Sequence, residues 1–191
     1  MNETMVYADG YSRTFAEQEE FFGFLKQMGG KSRWERKRSK DLRLVAFTDG
    51  ESEIAKKLRD EYEREGLDPG ILSDTMEGTS LLLKAKDRYY PVRSCAIKTI
   101  LDRAGISGTG LRRLDKNVYA RILNDCLKTA KGESLLRISE GKVSAVHGGD
   151  CYDYAILDME QIFHHVVEYL QKEFPGSDFT GGFYDHTRAS A

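Results

Sequence analysis

Apolar residues recur at helical spacing in five stretches of this chain, and each stretch predicts a helix. Phe15, Phe21, Phe22, Leu25 and Met28 mark the first. Thr14 and Glu17 have the spacing of a capping box at its start, and Gly29-Gly30 ends it. Ile54, Leu58 and Tyr62 step by four behind Asp49 as a cap, with Glu53 and Lys57 as an outer pair and Gly66 as the stop. Ser94 opens a third helix carrying Ala96, Ile97, Ile100, Leu101 and Ala104, closed by Gly105. Asp115 caps a fourth, with Val118, Ile122, Leu123, Cys126 and Leu127 on one side. Asp158 and Gln161 form a second capping box before Ile162, Phe163, Val166, Val167 and Leu170, and Pro175-Gly176 terminates this fifth helix.

Between the helices the pattern shortens to strands. Leu42 to Phe47 is a brief apolar run bounded by charges. Thr79 to Ala85 and Tyr89 to Val92 flank Lys86-Asp87-Arg88 as a hairpin, and two strand-like runs within 134–157 meet at Glu140-Gly141. The second of these runs does not sort into faces. Val143, Ala145 and His147 fall on one side and Lys142, Ser144 and Val146 on the other, so neither is cleanly apolar. Asp-Pro-Gly and Glu-Gly make residues 67–78 read as loop, and the last residues read as a strand. This order predicts an α+β fold with an antiparallel or mixed sheet and about five helices, in a single domain over 1–191.

Charge adds a feature that hydropathy hides. The net charge is only −2, but residues 31–43 hold seven basic and two acidic residues, a local +5. The remaining 22 basic and 29 acidic residues leave −7 elsewhere. Read as an extended basic loop, the segment offers Arg33, Arg36, Lys37, Arg38 and Lys40 to phosphates and Trp34 to an exposed base. An acidic protein surface would suit the same loop. Cys95, Cys126 and Cys151 are odd in number and lack metal-ligand spacing, which points to reduced thiols. The polar start reads as having no signal peptide, and no run approaches a membrane span, so a cytoplasmic protein is expected.

Candidate chemistry gathers after the second hairpin strand. His147, Asp150 and Asp153, with Asp185 and His186 near the end, are residue types that bind metals or move protons. Their spacing does not require that they meet, and turns favour the same residues. Cys151 near His147 has the composition of a nucleophile pair but no specific signature. His164 and His165 are adjacent on a helix and diverge by about 100°. The stretch Gly105 to Gly110 follows a helix and lacks the Lys-Ser/Thr ending of a phosphate loop, so it reads as a connection.

Three segments resemble a known family: RYYPVRSCAIKTILDRAGISGTGLRRL, SLLRISEGKVSAVHGGDCYDYAILDMEQIF and FPGSDFTGGFYDH. Their order is similar to that in the phage/plasmid-like proteins of unknown function. The resemblance covers roughly the last two thirds of the chain and supplies no active-site residues or cofactor. It implies a bacterial mobile-element setting, in replication, recombination or host defence. Family members are generally longer, and this chain stops within a strand-like pattern, as a short variant or a fragment would. The expectation is a non-enzymatic protein that contacts DNA or a DNA-handling complex through Arg33, Trp34, Arg36, Lys37, Arg38 and Lys40. The alternatives are an inhibitor or decoy for a host nuclease or defence complex, and a metal-dependent hydrolase built around His147, Asp150 and Asp153.

Overall fold

The structure is a computed structural model that describes residues 5–107, 110–148 and 159–190. Among them are nine strands in three antiparallel sheets and six helices, an α+β fold. The strands are β1 (Ser12–Phe15), β2 (Ser32–Arg38), β3 (Leu42–Ala46), β4 (Leu81–Ala85), β5 (Arg88–Pro91), β6 (Glu133–Ser139), β7 (Lys142–Gly148), β8 (Gly182–Asp185) and β9 (Ala189–Ser190). The helices are α1 (Gln18–Gly30), α2 (Glu53–Glu65), α3 (Gly70–Glu77), α4 (Ala96–Ala104), α5 (Lys116–Leu127) and α6 (Met159–Glu173). The sheet orders are β2-β6-β7, β3-β4-β5 and β1-β8-β9. A parallel bridge from Val92 to Val143 joins the first two sheets.

The main core lies where those two sheets meet α4 and α5. Leu136, Ile138, Val143 and Val146 from one sheet and Leu44, Leu81 and Leu83 from the other pack with Ile100 and Leu123. Each such side chain contributes about 1.5–3 kcal/mol by leaving water. The opposite face of the second sheet packs Leu82 against Leu58, Tyr62, Ile71 and Leu72 of α2 and α3. A third, aromatic core holds Tyr11, Phe15, Phe21, Phe24 and Tyr184, and pairs β1 near the start of the chain with β8 near its end.

A bulge resolves the poor alternation of β7. Arg137 pairs Ala145, but the next residue, Ile138, pairs Val143, which leaves Ser144 as an extra residue. One inserted residue shifts the side-chain phase by one position. Val143 and Val146 therefore share the core face, opposite Ile138 and Leu136. The turn at Glu140-Gly141 has φ of 49° and 73°, the backbone that closes a two-residue hairpin with the right twist.

Several local expectations are corrected. The stretch 67–78 contains α3, because Pro69 and Gly70 occupy its entry, where proline costs no hydrogen bond, and Ile71, Leu72 and Thr75 bury one side. Thr14 lies in β1, so α1 starts later, behind Glu17, with no side-chain cap. Ser52, not Asp49, caps α2 by accepting from Ala55 N, and Lys57 pairs with Glu61. Asp115 does cap α5, and Gly66 and Gly105 end their helices in the left-handed conformation. Asp158 lies outside the described residues. Helix α6 differs from the rest: Met159 and Phe163 lean on the aromatic core, while Ile162, Val166, Tyr169, Leu170 and Phe174 are 39–61% exposed. No helix among the described residues is long and apolar enough to cross a membrane.

Candidate nucleic-acid interface

The basic segment is not a loop. Ser32–Arg38 is strand β2, paired residue for residue with β6 from Ser32↔Ser139 to Arg38↔Glu133. The run of charges concealed it, because a strand at the edge of a sheet carries polar side chains on both faces. The correction sorts the candidate residues by face.

Arg33, Glu35 and Lys37 point to the side shared with Leu136 and Ile138 and meet the rim of the second sheet. Glu35 accepts from Arg33 Nε at 3.1 Å, Lys37 Nζ at 2.9 Å and Tyr90 OH at 3.1 Å. Burial opposes ionisation of Glu35, but these hydrogen bonds outweigh it and hold the carboxyl below its usual range. Arg33 and Arg88 lie over the Tyr90 ring, 5.6 and 5.2 Å from its centroid. Two of the six candidate residues, Arg33 and Lys37, are thus engaged in joining the sheets.

Trp34, Arg36 and Arg38 point to the other face. Across β6 this face continues with Leu135 and Arg137, and across the sheet with Ala145 and His147. Trp34 stacks on His147, with ring centroids 6.1 Å apart and planes at 30°, and the Arg137 guanidinium lies 5.9 Å from the indole. Burial, followed by the nearby Arg137 charge, lowers the pKa of His147 and favours its neutral ring. Trp34 and Leu135 belong to none of the three core clusters. Arg36 and Arg38 are exposed, and Arg38 reaches Asp41 at 3.3 Å. Lys40 is exposed in the short 3-10 turn that follows. Arg137 and His147 join this surface through strand pairing, which no local motif announces.

The proposed metal and acid–base cluster is not assembled among the described residues. Asp150, Cys151 and Asp153 lie outside them. His186 instead donates from Nε2 to Ala8 O, 3.0 Å away, and packs between Tyr11 and Tyr184, a set of contacts it does not share with His147. Burial first, then the Arg93 charge, pushes its pKa down to about 4. Asp185 is held below the usual carboxylate range by Thr187 and Arg188, which outweigh its burial, and so organises a turn. Among the described residues no group of three or more His, Cys, Asp or Glu is placed to hold a metal.

Sequence reasoning missed a buried cluster of charges around Lys142. Lys142 is fully buried and contacts Asp9 Oδ1 at 2.7 Å and Asp74 Oδ2 at 2.5 Å. Arg93, also buried, donates to Tyr7 O at 2.9 Å and lies 3.6 Å from Asp9. The other Asp9 oxygen accepts from Ser94 N and Oγ, at the entry of α4. Burial opposes the Asp9 charge, but Lys142 and Ser94 overcome it and lower the pKa. Four distant segments are tied together here. A recess of about 250 Å³ beside the cluster includes Cys95 and His186. The Cys95 thiol donates to Ser144 O and is pushed up by burial, away from the reactive thiolate. The arrangement anchors the fold. No family model, curated protein or solved structure matches the chain, so its function is argued from these residues alone.

Proposed function

We propose that the protein binds single-stranded nucleic acid, as DNA or within a DNA-handling complex, across the outer face of the β2-β6-β7 sheet. The observation that carries this reading is the platform of Trp34 beside Arg137 and His147, with Arg36 and Arg38 on the same face. An aromatic ring accepts a base of any sequence by stacking, and neighbouring guanidinium groups neutralise the phosphates. A strand holds these groups in register, so less ordering is required on binding than in a loop. The mobile-element setting implied by the resemblance agrees with such a role.

The test is fluorescence anisotropy with a labelled single-stranded oligonucleotide, beginning at low salt. Trp34→Ala is expected to weaken binding by about 1–3 kcal/mol. Arg36→Gln and Arg38→Gln are each expected to reduce the slope of log affinity against log salt by about 0.7. Lys128→Gln, at an exposed site on the α5 C-terminus, serves as the unaltered control. An absence of binding at low salt, or an affinity indifferent to Trp34→Ala, refutes the proposal. The apolar outer face of α6 would then be the surface to test against a protein partner.

A further inference from the structure

A second site lies away from the sheet face, where the start of β4 meets the N-terminal ends of α4 and α5. A recess of about 160 Å³ is lined there by Thr79, Ser94, Ile97, Arg112, Lys116 and Tyr119. Tyr119 is 2% exposed, and its phenol oxygen is buried without a hydrogen-bond partner among the described residues. Such an orphan is costly, because its water contacts are lost and nothing replaces them. Lys116 stands one turn before Tyr119 on the same side of α5, and Arg112 lies in the turn that precedes the helix.

The remaining polar groups of the recess already have partners. Thr79 Oγ1 donates to Val92 O at 2.7 Å, and Ser94 donates to Asp9. Asp115, the nearest carboxylate in sequence, accepts from Asn117 N and Val118 N and is committed to capping α5. Among the described residues, the donors left over in this recess are one phenol and two cations. We propose that this recess binds a small tetrahedral oxyanion, with Tyr119 OH donating from its floor and Arg112 and Lys116 closing on it from the rim.

Size and chemistry narrow the ligand. The recess is smaller than the roughly 300–1,000 Å³ of pockets that enclose drug-sized molecules. It suits inorganic phosphate, or the terminal phosphate of a monoester whose remainder stays in solvent. Arg and Lys together satisfy several phosphate oxygens through charge-assisted hydrogen bonds. A phenol reaching the anion would also remove the orphaned donor.

Isothermal titration calorimetry of the whole protein in chloride buffer, with inorganic phosphate and separately with glycerol phosphate, tests the site. Saturable one-to-one binding is expected. Arg112→Gln is expected to weaken it about tenfold or more, and Tyr119→Phe about threefold to tenfold. In phosphate-free buffer Tyr119→Phe is expected to raise Tm by about 2–4 °C, because the unpaired hydroxyl is gone. That second readout separates a folded variant from a collapsed one. Tighter binding of glycerol phosphate identifies a monoester as the ligand, and equal binding identifies the free anion. No saturable binding of either probe, or binding that both substitutions leave unchanged, overturns the proposal. The site shares no residue with the sheet face, so its failure and that of the nucleic-acid reading are distinguishable.

Discussion

Lys142 and Arg36 are basic residues of the same three-stranded sheet, on its two outer strands. Arg36 stands in a run of charges and remains exposed. Lys142 stands alone before an apolar run and is fully buried between Asp9 and Asp74. The contrast teaches that charge density along a chain reports surface, whereas an isolated charge beside core residues reports architecture. A buried ammonium must find partners, because its desolvation costs several kcal/mol. An exposed guanidinium keeps its hydration and needs no buried counter-charge to remain ionised.

Four experiments bear on that contrast, in falling order of effect. Lys142→Met removes the cation shared by Asp9 and Asp74, leaving Asp9 only the more distant Arg93, and a loss of about 3–5 kcal/mol is expected in urea unfolding. A loss below 1 kcal/mol would break the contrast at its stronger end. His186 adds a pH dependence to the same region. Its folded pKa of about 4 lies below the ordinary 6.5, so the unfolded chain binds the proton more readily. Its contribution is complete above about pH 6.5 and is lost as pH falls towards 4, by up to about 3 kcal/mol. Unfolding curves of His186→Asn should be flatter across that window than those of the parent, and parallel curves would remove His186 as the cause.

On the exposed side, Trp34→Ala should act on binding while costing little of the core, because the indole belongs to no core cluster. A large drop in Tm together with the loss of binding would show that Trp34 is architectural, like Lys142. The smallest effect is expected on α6. Val166→Asp, at a position 47% exposed, should change stability by no more than about 0.5 kcal/mol in thermal unfolding. A larger loss would show that this face is covered in solution.

Much of the fold was legible because it is local. Asp115 at the start of α5, glycines 66 and 105 at helix ends and the Glu140-Gly141 hairpin depend on side chains within a few residues of one another. The failures were local signals overruled. Asp68-Pro69-Gly70 reads as a break, yet these residues are tolerated in the entry turn of α3 once Ile71 and Leu72 have a core to enter. The charged run 32–38 reads as loop, yet β6 supplies its hydrogen bonds and its sidedness. In the candidate site Trp34 and Arg36 could be named in advance, whereas Arg137 could not, and His147 only for metal or proton chemistry, since both reach Trp34 through pairing of strands distant in sequence.

By itself the sequence determined the outline of five helices, the turn at Glu140-Gly141 and the uneven distribution of charge, because these follow from spacing, capping and composition within one stretch of chain. Only the tertiary structure decided that Ser144 is an extra residue, that Arg33 and Lys37 close on Glu35, and that Trp34 meets His147. It also decided that Lys142 is enclosed by Asp9 and Asp74. The physical reason is that register, desolvation and ion pairing are properties of groups brought together from distant segments. Their energies do not exist until the chain has closed around them.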